Sequence, residues 1–226
     1  MNILNNKSFK SFLIPSFILI IIYLIHYLFF IPFWPFDPDT LEKLNFVKEN
    51  LILDTNNHQH MRWGSFFIYK LSSYFINENF ITITTTSLII FLLSSLIFSY
   101  CVHIHLGLAY SSLFVIFWIT NKAINIEIFS FSVVNQTLLA LSILFFLLQK
   151  SENLNNNFFN SILIGLILFW LYGIKETNIF FYPLLFFYKI FRENLIFVIK
   201  IIFICVIFYF IETIFINILS EQNFIF

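Results

Sequence analysis

The sequence predicts an all-α fold, a polytopic membrane helix bundle of about seven transmembrane helices with interfacial helices in a first outer loop. Three observations carry that prediction. The 226 residues are 60% hydrophobic and only 11% charged, against roughly half apolar and a quarter charged in soluble domains. Mean hydropathy is +0.89. Long uncharged runs recur that meet or exceed the roughly 20 residues of a spanning helix. A bilayer leaves no partner for unpaired backbone, so such runs are helical. Residues 1–226 read as a single membrane domain.

The first run, Ser11 to Phe36, holds 26 residues without a formal charge. A signal-peptide core is about 7–15 residues long and ends in a small-residue cleavage site. This run has neither property and reads as a retained helix. The second run, Asn79 to Asn121, has 43 uncharged residues, too many for one crossing at about 1.5 Å per residue. "CVHIHLG" at 101–107 is its natural break, giving spans near 80–100 and 106–120. A fourth span is expected over about 128–149. Residues 158–188 are interrupted by "KETN" at 175–178, which suggests two short crossings. The last span is placed near 195–219, with Lys200 able to snorkel at one end.

Lys7 and Lys10 favour a cytoplasmic N-terminus. Seven crossings then put 37–79, 121–127, 175–178 and the C-terminus outside the cell membrane. Lysine and arginine divide six and six between the two sides. Without the long first loop the division is six inside against two outside, the expected bias. The parity rests on "WGSFFIYKLSSYF" at 63–75, which has 13 residues and a central Lys70. It is too short and polar to span and reads as an interfacial amphipathic helix.

That topology gathers polar chemistry on the outer face. Asp37 and Asp39, one residue apart, can share a divalent metal such as Mg or Mn. Alternatively one serves as a base while the other tunes its pKa. The plainer reading of Asp37-Pro38-Asp39 is a turn that starts a helix, with Asp39 as N-cap before "TLEKL". "HQHMRW" at 58–63 offers His58, His60 and Arg62. Histidines two apart share a side only on an extended segment, so solvated loop residues are the plainer reading. The Arg62 guanidinium suits planar phosphate recognition. Lys175 and Glu176 sit in a 31-residue stretch with no other charge; such residues are costly in lipid and become functional candidates, or they neutralise each other at a helix break. His103 and His105 fall at the opposite face as interfacial polar residues. Cys101 and Cys205 lie in apolar runs without metal-ligand spacing. Zero net charge gives no electrostatic argument for nucleic acid.

The order of these features resembles the N-terminal half of the GT-C membrane glycosyltransferases, especially the lipid-phosphate-sugar-dependent protein mannosyltransferases and aminoarabinose transferases. The segments that carry the resemblance are "FDPDTLEKLNFVKENLI", "HMRWGSFFIYKLSSYFI", "LILFWLYGIKETNIFFYPLLFFY" and "INIEIFSFSVVNQTLLALSILFFLLQK". The resemblance implies sugar transfer from a polyprenyl-phosphate donor to an acceptor hydroxyl at the extracytoplasmic face. It implies Asp39 or Asp37 as catalytic base, and Arg62, Lys175, Glu176, His58 and His60 as substrate-binding candidates. Asn135 stands where the family often has Asp. Family enzymes are commonly more than twice this length, so the resemblance implies a truncated, split or inactive relative, with a second subunit completing the fold in the split case. The rival reading is a small transporter or channel subunit with Lys175, Glu176 and Glu212 along its pathway. A non-catalytic membrane scaffold is the third.

Overall fold

The structure, a computed structural model, describes residues 15–22, 24–25, 62–76, 79–121, 133–153, 158–188 and 193–219. Among the described residues every regular element is helical. They are α1 (residues 15–22 and 24–25), α2 (Trp63–Ser73), α3 (Asn79–Leu106), α4 (Leu108–Thr120), α5 (Val133–Asn153), α6 (Phe158–Ile174), a 3₁₀ helix (Glu176–Phe187) and α7 (Leu195–Leu219). Among the described residues three stretches are long and apolar enough to cross a membrane: Ile83–Leu106, Val133–Ser151 and Leu195–Phe215. Leu108–Trp118 and Phe158–Ile174 are shorter apolar helices. Such a set is that of a membrane protein.

The second uncharged run does break, at Gly107 rather than across 101–107. The helix continues through His103 and His105, and Gly107 then adopts φ 88°, a left-handed value that only glycine takes without penalty. Phe158–Tyr188 also divides as expected, because α6 ends at Ile174 and Lys175 is extended. Beyond Lys175 the chain forms a 12-residue 3₁₀ helix containing Pro183. Proline has no N–H and opposes α-helical bonding four residues back, and the tighter helix rises about 2.0 Å per residue. Twelve residues therefore extend about 24 Å, more than an α-helix of that length.

Neighbouring segments alternate in direction. Ser99 bonds Ser111 at 3.0 Å and Trp118 donates to Ser95 at 2.8 Å, so α3 and α4 are antiparallel. Phe98 meets Phe145 and Tyr100 meets Phe146, while Ile83 and Ile90 cluster with Leu139, so α3 and α5 are parallel. Thr137 pairs with Asn178 and Phe145 with Tyr188, which makes the 3₁₀ helix parallel to α5. Tyr182 donates to the Leu168 carbonyl and Asn178 to that of Leu171, which makes it antiparallel to α6. Phe169 stacks on Phe208 and Gly165 lies against Ile204, so α7 runs parallel to α6. The main core joins Leu141, Leu144 and Leu148 of α5 to Ile164, Leu168 and Leu171 of α6 and to Phe197 and Ile201 of α7. Leu19 of α1 packs with Leu88, Phe91 and Val115.

Alternation brings residues 62–65, 135–137, 173–178 and 209–212 to one end of the bundle. At that end α2 has 11 residues, about 16 Å, well short of a hydrocarbon core of about 30 Å. It buries Gly64, Ser65, Phe66 and Tyr69 and exposes Phe67 and Leu71.

Candidate functional site

The first turn of α2 is the keystone of this end. Ser65 donates its backbone N–H (2.9 Å) and its hydroxyl (2.8 Å) to the Arg62 carbonyl, closing the turn. Trp170 of α6 donates its indole N–H to the Gly64 carbonyl at 3.0 Å. Gln136 of α5 donates to the Ser65 carbonyl at 2.5 Å. Gly64 and Gly173 let two backbones touch: a Cβ at Gly64 would lie 2.6 Å from the Gly173 carbonyl carbon. The Trp63 ring occupies the space where a Gly173 Cβ would stand, at 2.5 Å from that point. Its indole N–H donates to the Glu212 carboxylate of α7.

The break after α6 supplies the facing wall. The Lys175 N–H bonds back to the Leu171 carbonyl at 3.3 Å, and the Asn178 N–H bonds to the Lys175 carbonyl at 2.9 Å. The buried Asn178 amide also donates to the Leu171 carbonyl (2.9 Å) and to the Thr137 hydroxyl (3.1 Å). These bonds fix the turn on which Lys175 and Glu176 stand. Arg62 Nε lies 3.8 Å from Glu176 Oε2. Arg62 is 16% and Glu176 48% exposed, so the contact joins a largely covered guanidinium to a half-exposed carboxylate.

Of the residues singled out in the sequence, Arg62, Lys175 and Glu176 therefore meet at one end. Asp37, Asp39, His58 and His60 lie outside the described residues, His60 two positions before Arg62. The uncharged run 11–36, expected as a first span, is described only at 15–22 and 24–25. Among the described residues no three His, Cys, Asp or Glu side chains gather; the Asp37/Asp39 pair suggested for a metal is not among those residues. Asn135 is fully buried one position before Gln136. His103, on the far end of α3, is also buried.

Sequence reasoning missed three contributors. Glu212 figured only as a transporter-pathway residue, and Trp63 and Gln136 as span or helix filler. An acid in a terminal run whose one other charge is Lys200 was a signal, but its partner 149 residues away has no local signature. Comparisons with protein-family models, curated proteins and solved structures return no match.

Proposed function

We propose that the chain is an integral-membrane glycosyltransferase of the cell (inner) membrane, moving a sugar from a polyprenyl-phosphate donor to an acceptor hydroxyl at the extracytoplasmic face. One observation supports this reading above the others: Arg62 and Lys175, far apart in sequence, come to the same end of the bundle through Arg62–Glu176. In the sequence, the stretch that carries Asp37, Asp39, His58 and His60 runs up to Arg62. The alternating segments are read as the later crossings of a seven-span bundle, with α1 as part of the first and α2 as an interfacial helix. Under that topology the N-terminus is cytoplasmic, the C-terminus extracytoplasmic and the Arg62–Lys175 end faces outward.

In the proposed reaction the acceptor oxygen attacks the anomeric carbon. The bond from that carbon to the phosphate oxygen breaks, and the lipid phosphate leaves with the electron pair. Asp39, or its neighbour Asp37, takes the acceptor proton, a role that ordinarily contributes about 10²–10⁴-fold. Arg62 and Lys175 stabilise phosphate charge where low hydration makes cations most effective. A divalent metal at Asp37 and Asp39 is an added element of the same reading, as is a second subunit completing the fold.

The test is transfer by purified protein in lipid nanodiscs supplied with a polyprenyl-phosphate sugar and hydroxyl acceptors. Release of free lipid phosphate is expected, falling about 10²-fold or more in Asp39→Asn. Solute flux without donor binding would favour a transporter, and full activity in both Asp39→Asn and Asp37→Asn would remove the acidic pair from the mechanism.

A further inference from the structure

Glu212 is the only charged residue of α7 after Lys200, and α7 is otherwise an apolar helix that leaves most of its surface outside the bundle. A carboxylate there is expensive in lipid, so its retention calls for a compensating role. The structure gives it a specific partner, because it accepts the indole N–H of Trp63. Indole has a single donor and no acceptor, so this bond commits Trp63's whole hydrogen-bonding capacity.

The ring that Glu212 holds is placed tightly. It lies against Gly173, where any Cβ would fall 2.5 Å from two ring carbons. Phe169 packs beside it at a centroid distance of 5.2 Å. Tyr172 and Tyr209 approach each other next to the same junction, at 6.4 Å. Trp63 is thus a peg in a slot made by a missing side chain on α6, and Glu212 closes the slot from α7.

The residues flanking the peg and the slot give the junction its significance. Arg62 immediately precedes Trp63, while Lys175 and Glu176 come two and three residues after Gly173. Any slip of α2 along α6 therefore shifts Arg62 directly against the Lys175–Glu176 turn. We propose that Glu212 is a positioning residue: by accepting the Trp63 N–H across Gly173, it sets the spacing of Arg62 from Lys175 and Glu176. Glu212 touches neither cation in this role; it acts through Trp63. The consequence for donor phosphate rests on the glycosyltransferase reading, whereas the spacing itself does not.

The experiment therefore has two arms, both on the full chain with Cys101 and Cys205 replaced by Ser. In the first, cysteines at positions 62 and 176 are bridged by a short bifunctional methanethiosulfonate reagent in nanodiscs, and the rate is read. Glu212→Met removes the acceptor, and Glu212→Gln keeps a carbonyl that accepts the indole N–H. The Met variant should slow cross-linking about tenfold, the scale of losing a hydrogen bond to a charged group, and Gln should restore most of the rate. Trp63→Phe keeps a ring over Gly173 without the N–H and should behave as Met does, which covers the case that the Met variant fails to fold. Met and Phe variants that cross-link at the parent rate would overturn the proposal. So would a Gln variant as slow as Met, because charge rather than the hydrogen bond would then be responsible. In the second arm, with Arg62 and Glu176 intact, polyprenyl-phosphate binding should weaken about tenfold in Glu212→Met and recover in Glu212→Gln. Unchanged binding in Met would deny the positioning role its functional consequence. If the parent chain binds no polyprenyl phosphate, the glycosyltransferase reading fails, while the cross-linking arm still decides the role of Glu212.

Discussion

Replacing Gly64 by Ala tests the crossing on which the candidate site is built. An ideal Cβ at 64 would stand 2.6 Å from both the Gly173 carbonyl carbon and the Ile174 nitrogen, and 3.0 Å from the Gly173 oxygen. All three are backbone atoms, so no rotamer change relieves the clash. Carbon contacts are most favourable at about 3.5–4.0 Å, which requires α2 and α6 to separate by about 1 Å. Such overpacking costs about 1–3 kcal/mol. Separation also stretches the bonds from Trp170 to Gly64 and from Gln136 to Ser65, each worth about 1 kcal/mol. Alanine's better helix propensity returns about 1 kcal/mol. The net is a destabilisation of about 2 kcal/mol. For a chain of this size that is a fall in Tm of roughly 4–8 °C, measured by tryptophan fluorescence of purified protein in detergent micelles. Gly165→Ala is the internal comparison. Its Cβ would meet mainly the Ile204 side chain, at 2.7 Å, and a side chain can move, so the loss should be smaller. A Gly64→Ala protein as stable as the parent, or more stable, would refute the close crossing.

Asn178→Ala removes two side-chain hydrogen bonds from a buried position. It should cost about 1–3 kcal/mol in the same melt, and an unchanged Tm would show that the Lys175 turn is held by other means. Gly107→Ala meets no steric obstacle but must adopt φ 88° with ψ −178°, a region essentially confined to glycine, at a loss of about 1–3 kcal/mol, and Asn should lose as much as Ala. If Ala and Asn melt with the parent, the left-handed break between α3 and α4 is wrong. Lys175→Met should weaken polyprenyl-phosphate binding while leaving the melting temperature within about 2 °C, since the residue is only half-buried and exposed charges contribute little to stability. Equal donor affinity in titration would remove Lys175 from the phosphate site.

The sequence made the helical class plain because composition and run length answer directly to the bilayer. Leu195–Leu219 is one mostly apolar helix, uncharged apart from Lys200 and Glu212, and was legible to within its ends. The break near 101–107 was legible in kind, but the glycine fixed its position where the imidazoles only suggested it. The 3₁₀ character of Glu176–Phe187 was not legible, since the apolar pattern marks a buried segment without giving its pitch. Charge isolation brought out Lys175 and Glu176, guanidinium chemistry brought out Arg62, and the structure joins Arg62 to Glu176. Trp63, Gly64, Gly173 and Glu212 stayed hidden because their importance is a matter of contact between segments. A glycine that admits another backbone looks, in sequence, like any other glycine in a membrane helix.

The central claim, an outward-facing donor site shared by Asp39 and Lys175, is tested most directly by thiol labelling. Single cysteines at 39 and 175, in a chain lacking Cys101 and Cys205, are exposed to a membrane-impermeant reagent from outside intact cells. Labelling is then repeated on purified protein with and without a polyprenyl-phosphate sugar. Both positions should react from outside, and the donor should protect both. Labelling from opposite faces, or protection of neither position by a donor that the protein binds, would contradict the shared site.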